Sequence, residues 1–362
     1  MPHGETFWNP YRLVPVREQV IRRRPVTEEK FVGYNGSISC SLENLTLFFI
    51  GQNRQDQTRF LTRDNRPVVP GSSLKGMLRS LVELVGGGCM VTAPEREDQY
   101  KACHRADNLC IACRLFGMME RGQRARVHRG QVAIGDGLLR EDQAQTVRCE
   151  VLLNTPKPSH TAFYLHPQTG QSCDSCRKLY FHQPQRTADL LPVPAPIRDR
   201  AVAKMALLPG HHFYFIIQFN NLQEDELNLL LYALVLEEDV QITIGAGDNQ
   251  HRLRGPLRHK LGLGKPLGMG SVQITVHSLT ILASPTQRFR SLTADPGVTY
   301  EGQDLQNFLR PRLQAYQADT SPTMVYLRKL LIWDPRDNRT FRYPDFHWFR
   351  NPAHSGTPLK PL

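Results

Sequence analysis

The residues best suited to chemistry in this 362-residue chain are grouped cysteines. Cys89, Cys103, Cys110 and Cys113 fall in one polar stretch, and Cys110-Ile111-Ala112-Cys113 has the close spacing of a metal knuckle. Four thiolates would close a tetrahedral Zn2+ site, leave no position for water and therefore serve structure rather than catalysis. Such a site would pin a loop that cannot build its own core. His104 is an alternative fourth ligand in place of Cys89, and the competing reading is a set of buried free thiols. A second pair, Cys173-Asp174-Ser175-Cys176, is flanked by His166 and His182. It reads either as a second zinc site or as a surface turn with two unpaired thiols.

Two other stretches carry anion chemistry. Pro70-Gly71-Ser72-Ser73 breaks a strand and runs into an amphipathic helix predicted over Leu74 to Val85. Ser72 or Ser73 would cap it, and the free amides of the first turn would make an anion site. Lys75 and Arg79 are one helical turn apart and share a face beside that site. An ordinary capped helix with a solvated basic face is the alternative. The second stretch, His259 to Gly270, reads HKLGLGKPLGMG. It fails the phosphate-loop pattern because Pro266 follows Gly264-Lys265, and it fails the dinucleotide pattern because a strand follows where a helix should. What remains is a flexible glycine ribbon carrying Lys260 and Lys265, with Gly268 allowing close backbone approach to phosphate; a plain hairpin connection would explain the glycines but not the lysines. Asp56 and Asp64, in the loop before the helix, are the acidic candidates for catalysis, against the plainer reading of turn formers. A zinc deaminase would need H-x-E with P-C-x-x-C, and neither occurs.

The elements that position these groups follow from periodicity. Ser37 to Ile50 alternates as a strand, the helix after Ser73 stops at Gly86-Gly87-Gly88, and His211 to Asn220 reads as a buried strand. Asp225 to Leu236 is an apolar-rich helix, and Val240 to Ile244 and Ser271 to Leu279 are strands on either side of the glycine stretch. The expected fold is therefore α+β, a ferredoxin-like, RRM-type core over 31–280. A zinc-knuckle insertion at 89–117 and a proline-rich insert at 118–205 interrupt it. A basic arm at 1–30 precedes it, and an irregular extension at 281–362 follows, with a helix at Asp304 to Ala315 and an aromatic tail at 343–349. Hydrophobic residues make up 40% of the chain, enough for a packed core, and the net charge is +11. Arginines cluster at Arg22 to Arg24, at Arg121, Arg124, Arg126 and Arg129, and at Arg252, Arg254 and Arg258, which points to a polyanionic partner. No apolar run reaches the roughly 18 residues of a membrane span and the first residues lack signal-peptide character, so the expected location is cytoplasmic, with cysteines as thiols or ligands rather than disulfides.

The segment from Val68 to Ser80 resembles the helix-one signature of the RAMP superfamily, the CRISPR-associated RNA-binding proteins. Cys110 to Gly117 (CIACRLFG) resembles the family's zinc-knuckle exit, His259 to Gly270 its glycine-rich loop, and Asn9 to Pro15 (NPYRLVP) the opening of one branch. The ordered set is similar to a backbone subunit of a type III effector complex. The resemblance implies binding of guide crRNA and complementary target RNA in antiviral defence, with other effector subunits as partners. It implies that the glycine loop touches the guide and that the 118–205 insert holds a thumb-like hairpin. It also implies a metal-binding aspartate before helix one, here matched best by Asp56 though the register is not clean. Two functions follow. One is a guide-binding scaffold; the other is a metal-dependent endoribonuclease using Mg2+ or Mn2+, or a stand-alone repeat processor with His251 or His259 as base. The residues assigned to RNA are Ser72, Ser73, Lys75, Arg79, Arg124, Arg126, Lys260, Lys265 and Gly268.

Overall fold

The computed structural model describes residues 7–26, 31–51, 58–90, 98–120, 122–141, 143–153, 163–165, 173, 176–185, 201–247, 250–288, 290, 297–341, 348 and 350–351. The elements that matter for the site, in chain order, are β1 (Tyr11–Pro15), β2 (Tyr34–Asn44), α1 (Gly71–Val85), α2 (Ile111–Phe116), β3 (Val132–Ile134), β4 (Gly137–Leu139) and β5 (Cys176–Tyr180). They continue with β6 (His212–Leu222), α3 (Glu224–Val235), β7 (His259–Lys260), β8 (Ser271–Leu282), α4 (Gly302–Gln317) and α5 (Pro322–Leu331).

A curled antiparallel sheet forms the centre of this mixed α/β molecule. Its strands run in the order β7-β8-β2-β6-β4, and β3 also pairs with β6. Alternation in the sequence decides which face is which. In β2, Ile38, Cys40 and Leu42 are fully buried, and the partner positions in β6 are Phe213, Phe215, Ile217 and Phe219. The registers hold these two faces together: Phe215 opposes Cys40, and Ile217 opposes Ile38. A bulge between Val276 and Ser278 lets the long β8 keep its apolar side inward.

The helices lie over that apolar face. Leu74, Leu78, Leu81 and Val85 make the buried stripe of α1. The helix ends where glycine allows: α1 stops at Val85, and Gly87 has φ +66°. Gly86 also permits close packing, because a Cβ there would lie 2.4 Å from Leu229 Cδ2 and 2.8 Å from Ile111 Cγ2. α3 begins with a capping box, in which the Gln223 amide donates to Glu226 at 2.9 Å.

Several segments are more integrated than the sequence reading expects. The N-terminal arm is stitched into the fold: β1 pairs with β5, Arg22–Arg23 pairs with Leu109–Cys110, and Trp8 and Val14 are buried. Within 118–205, β3 and β4 join the central sheet, and Thr146–Val151 pairs with Val202–Leu207. The extension is not irregular either. Leu305, Leu309 and Leu313 give α4 a buried stripe, and Tyr316 stacks on Tyr232 with centroids 4.7 Å apart. These pairings join segments far apart in sequence, and no local pattern specifies them. Most of the aromatic tail at 343–349 lies outside the described residues, Trp348 excepted.

Candidate functional site

The four cysteines predicted from spacing do come together. Cys89, Cys103, Cys110 and Cys113 are all buried, and their sulfur atoms lie within 4.8 Å of one another. Zinc thiolate bonds of about 2.3 Å in a tetrahedron place sulfurs about 3.8 Å apart, so the group could hold a metal such as zinc. The surroundings fit a cluster of thiolates. The Cys89 amide donates to Cys110 Sγ at 3.3 Å, the Cys110 amide to Cys103 Sγ at 3.3 Å, and Arg79 Nη2 to Cys113 Sγ at 3.4 Å. Donors of this kind satisfy sulfur lone pairs and neutralise thiolate charge. Mutual hydrogen bonds among the four groups hold the Cys103 thiol far below the ordinary thiol range and push Cys89 and Cys113 above it. His104 is exposed and is not part of the group.

Among the described residues the second cysteine pair makes no metal site. Cys173 and Cys176 are joined by a disulfide, which offers no thiolate and departs from the expected reduced state. His182 is buried, with Nδ1 at 2.9 Å from Ser271 Oγ and Nε2 at 3.1 Å from the Arg258 carbonyl, so both ring nitrogens are engaged. His166 lies outside the described residues.

The helix start is built differently from the predicted cap. Pro70 occupies the N-cap position, no side chain caps the helix, and Ser72 and Ser73 lie inside its first turn. The Gly71 amide is already taken by Asp136 Oδ1 at 2.8 Å, and Asp136 pairs with Arg63 at 2.6 Å. A carboxylate therefore sits at the positive end of the helix, where the sequence alone suggests an open anion site. Ser72 is exposed, and the part of α1 that borders a hollow lies further along, at Ser73, Gly76, Met77 and Ser80.

That face and the glycine loop line one groove. Ser73, Gly76, Met77 and Ser80 of α1 face Lys260, Gly262 and Lys265 across a space of about 380 Å³, with Lys178 and Tyr180 of β5 on its wall. A second hollow of about 300 Å³ shares Lys178, Tyr180, Gly262 and Lys265 and extends to Tyr11 and Gly264. Two motifs almost two hundred residues apart in sequence thus meet, as do the N-terminal Tyr11 and β5, which face each other in register.

The glycine loop is a clasped knot rather than a ribbon. Gly264 and Gly268 adopt left-handed conformations on either side of a short turn at Lys265–Leu267. A Cβ at Gly270 would lie 1.9 Å from the Leu261 carbonyl oxygen, so only glycine fits there. Lys260 is 8% exposed; its ammonium donates to the carbonyls of Gly268 at 3.1 Å and Met269 at 3.0 Å. It holds the loop shut. Burial also lowers the Lys265 pKa, though this residue still lines the groove.

Sequence reasoning missed Lys178 and Tyr180. The Lys178 ammonium sits 3.6 Å from the Tyr11 ring centroid and 5.1 Å from that of Tyr180. Part of the Lys178 side chain remains open to solvent, and desolvation of its ammonium against these rings lowers its pKa to about 8. Nothing local in Cys176 to Tyr180 (CRKLY) marks a strand or indicates that its partner is the strand holding Tyr11.

Arg79 is spent inside the protein. Besides Cys113 it donates to Glu83 Oε1 at 2.8 Å and to the Gly117 carbonyl at 2.9 Å. Glu83, whose side chain is 3% exposed, also pairs with Arg177, the neighbour of Lys178. The cysteine cluster, α1 and the wall of the groove are thereby wired together. Lys75 is half-buried beside Arg79, and burial lowers its pKa. Arg124 is exposed, and Arg126 pairs with Glu120 at 2.8 Å. Arg121 lies outside the described residues.

Of the acidic candidates, Asp56 lies outside the described residues. Asp64 and Asn65 have φ of +50° and +63° in the tight turn joining Thr62–Arg63 to Arg66–Val69, the plain turn-forming role. His259 is 2% exposed, its Nε2 is 2.8 Å from the Ala233 carbonyl, and burial lowers its pKa to about 4. His251 packs edge-on against Trp8, with centroids 5.8 Å apart.

The family model described as the RAMP superfamily matches residues 41–272, a span that holds α1, the cysteine cluster and the glycine loop. The chain belongs to the RAMP superfamily. Membership implies a CRISPR-associated, RNA-binding function, with RNA and CRISPR complexes as partners. No curated protein matches this RAMP chain. Among the described residues no helix is long and apolar enough to cross a membrane.

Proposed function

We propose that this chain is the crRNA-binding backbone subunit of a cytoplasmic type III CRISPR ribonucleoprotein, recognising complementary target RNA in antiviral defence beside other effector subunits. The observation that carries the reading is the single groove in which the open face of α1 meets Lys265 and Lys178. Gly76 and Ser73 keep the α1 side low, and a Cβ at Gly76 would have nothing within 4 Å, so a sugar-phosphate chain can lie against the helix. Lys178 and Lys265 supply charge without base preference, which suits a guide of any sequence. Tyr180, partly exposed, adds stacking surface, and the buried Tyr11 ring holds the Lys178 ammonium in place. Lys260 and Gly268 shape the loop, Arg79 positions α1 against the cysteine cluster, and Arg124 and Arg126 provide exposed charge beyond it. The order β8-β2-β6, with β3 and β4 beyond and α1 and α3 on one face, supports a ferredoxin-like reading of the core. Zn2+ is the metal proposed for Cys89, Cys103, Cys110 and Cys113.

The test is purification with associated nucleic acid. Wild type should carry small RNA of fixed length, and Lys178→Ala with Lys265→Ala should lose most of it while melting normally. Equal RNA content in the double variant would reject the groove. In the assembled complex, with Mg2+ or Mn2+ and complementary target, Asp56→Ala should leave target cutting intact if the subunit is a scaffold. Loss of one cut with RNA binding retained would make Asp56 catalytic and the chain an endoribonuclease.

A further inference from the structure

The face of the central sheet opposite α1 and α3 is open among the described residues: Ile216 on β6 and Leu138 on β4 are 55% and 52% exposed. Three planar groups stand on it in a row. The Arg140 guanidinium lies 4.4 Å from the Tyr214 ring centroid. Tyr214 in turn stacks on His277, with centroids 6.0 Å apart and planes 20° apart. The imidazole is not free to turn, because its Nε2 is 2.8 Å from Ser41 Oγ, and Ser41 directly opposes Tyr214 across β2 and β6. Arg140 has no carboxylate partner among the described residues. The nearby Glu43 and Glu141 flank His212 instead, at 3.7 Å and 3.5 Å.

Neither packing nor the groove accounts for this row. Its members lie outside the hydrophobic core and outside the groove lined by Lys178 and Lys265. A solvated strand face needs only small polar residues such as the neighbouring Ser37, Ser39 and Thr275. Two aligned rings held parallel, with a cation that can stack and still present N–H edges to a phosphate, match an unpaired nucleobase and its backbone. We propose that this sheet face is a second binding site, for unpaired bases of single-stranded RNA, with Tyr214 and His277 as stacking planes and Arg140 as the phosphate contact. The site is separate from the groove and rests on none of its residues.

The experiment uses the full chain and a short oligouridine containing 5-iodouridine. Photocrosslinks should map to the peptides holding Tyr214 or His277, and they should persist in the Lys178→Ala, Lys265→Ala background, so a failed groove does not fail this site. Tyr214→Ala should weaken oligouridine binding by roughly 5- to 150-fold, the effect of one lost base stack, while Tyr214→Phe binds as wild type. Should Tyr214→Ala melt early, the exposed His277→Ala and Arg140→Ala variants carry the same comparison. Wild-type affinity in all three alanine variants, or crosslinks confined to the groove, would overturn the proposal. So would a change in sedimentation of Tyr214→Ala with RNA affinity unaltered, which would assign the face to a protein neighbour.

Discussion

Glu83 is a buried carboxylate that serves two arginines at once. Its carboxylate, 3% exposed, faces Arg79 and Arg177, whose side chains are 23% and 19% exposed. Glu83→Gln keeps the volume and removes the charge. Two largely buried guanidinium groups would then face each other without a counterion. Burial and the nearby Arg79 charge already lower the Arg177 pKa to about 10. Removing one partner of a buried pair costs about 3–5 kcal/mol. Arg79 keeps its bonds to Gly117 and Cys113, and both arginines retain some solvent, so about 2–4 kcal/mol is the expected loss. For a 362-residue chain unfolding as a unit, that corresponds to a melting point about 3–5 °C lower. Thermal melts of Glu83→Gln and of Glu83→Gln with Arg177→Met provide the assay. The second change removes one stranded charge and should restore part of the loss. A Glu83→Gln melt equal to wild type, or a double variant lower than the single, would refute the assignment of Glu83 as the shared counterion.

Metal content and pH give two further checks. Cys113→Ser should lose the bound metal, measured as zinc per chain, and melt lower, because the remaining thiols cannot close a tetrahedron; retention of stoichiometric zinc would mean that the ion sits elsewhere. Lys178 should make RNA affinity fall as pH rises through about 8, since its ammonium is charged below that value and neutral above it. Arginine at this position should flatten the profile between pH 7 and 9, and a wild-type profile already flat there would remove Lys178 from the phosphate contacts. The same lowered pKa gives stability the opposite sign: the folded form sheds this proton before the unfolded chain does, so Lys178 makes the fold more stable as pH rises from about 8 toward about 10.4.

What could be read from the sequence was whatever depended on neighbours along the chain. Helix α1, α3 and the long strands announce themselves through periodicity, and glycines mark where α1 stops. The cysteine cluster was legible because a metal site would impose residue type and spacing together. The environment of each charge was not. Lys260 and Lys265 are alike in sequence and both border the groove, yet the Lys260 ammonium is turned onto the Gly268 and Met269 carbonyls and clasps the loop. Arg79 reads from sequence as a phosphate contact, whereas its guanidinium is taken by Glu83 and Cys113. The helix start looked like an anion site because Asp136, some sixty residues later, is invisible to any local reading. Lys178 was hidden for the same reason, since β5 acquires its meaning only by pairing with β1.

The connection between the cysteine cluster and the groove follows from a shortage of carboxylate. Arg79 must serve Cys113, Gly117 and Glu83 at once, and Glu83 must serve Arg79 and Arg177. A single buried acid therefore fixes two arginines on different elements. One donates to a sulfur of the cluster, and the other adjoins the lysine on the groove wall. When the thiols are held as thiolates, Arg79 has a reason to remain where it is, because a cation near negative sulfur is favoured electrostatically. With neutral thiols that attraction weakens, and Glu83 is left to balance both arginines alone. The knuckle thus acts as more than a local staple. Its charge state bears, through two arginines and one glutamate, on how firmly β5 holds Lys178 at the groove wall. A metal-stripped protein should accordingly lose groove affinity more steeply than its loss of stability alone predicts, and Lys178→Ala should abolish that extra sensitivity.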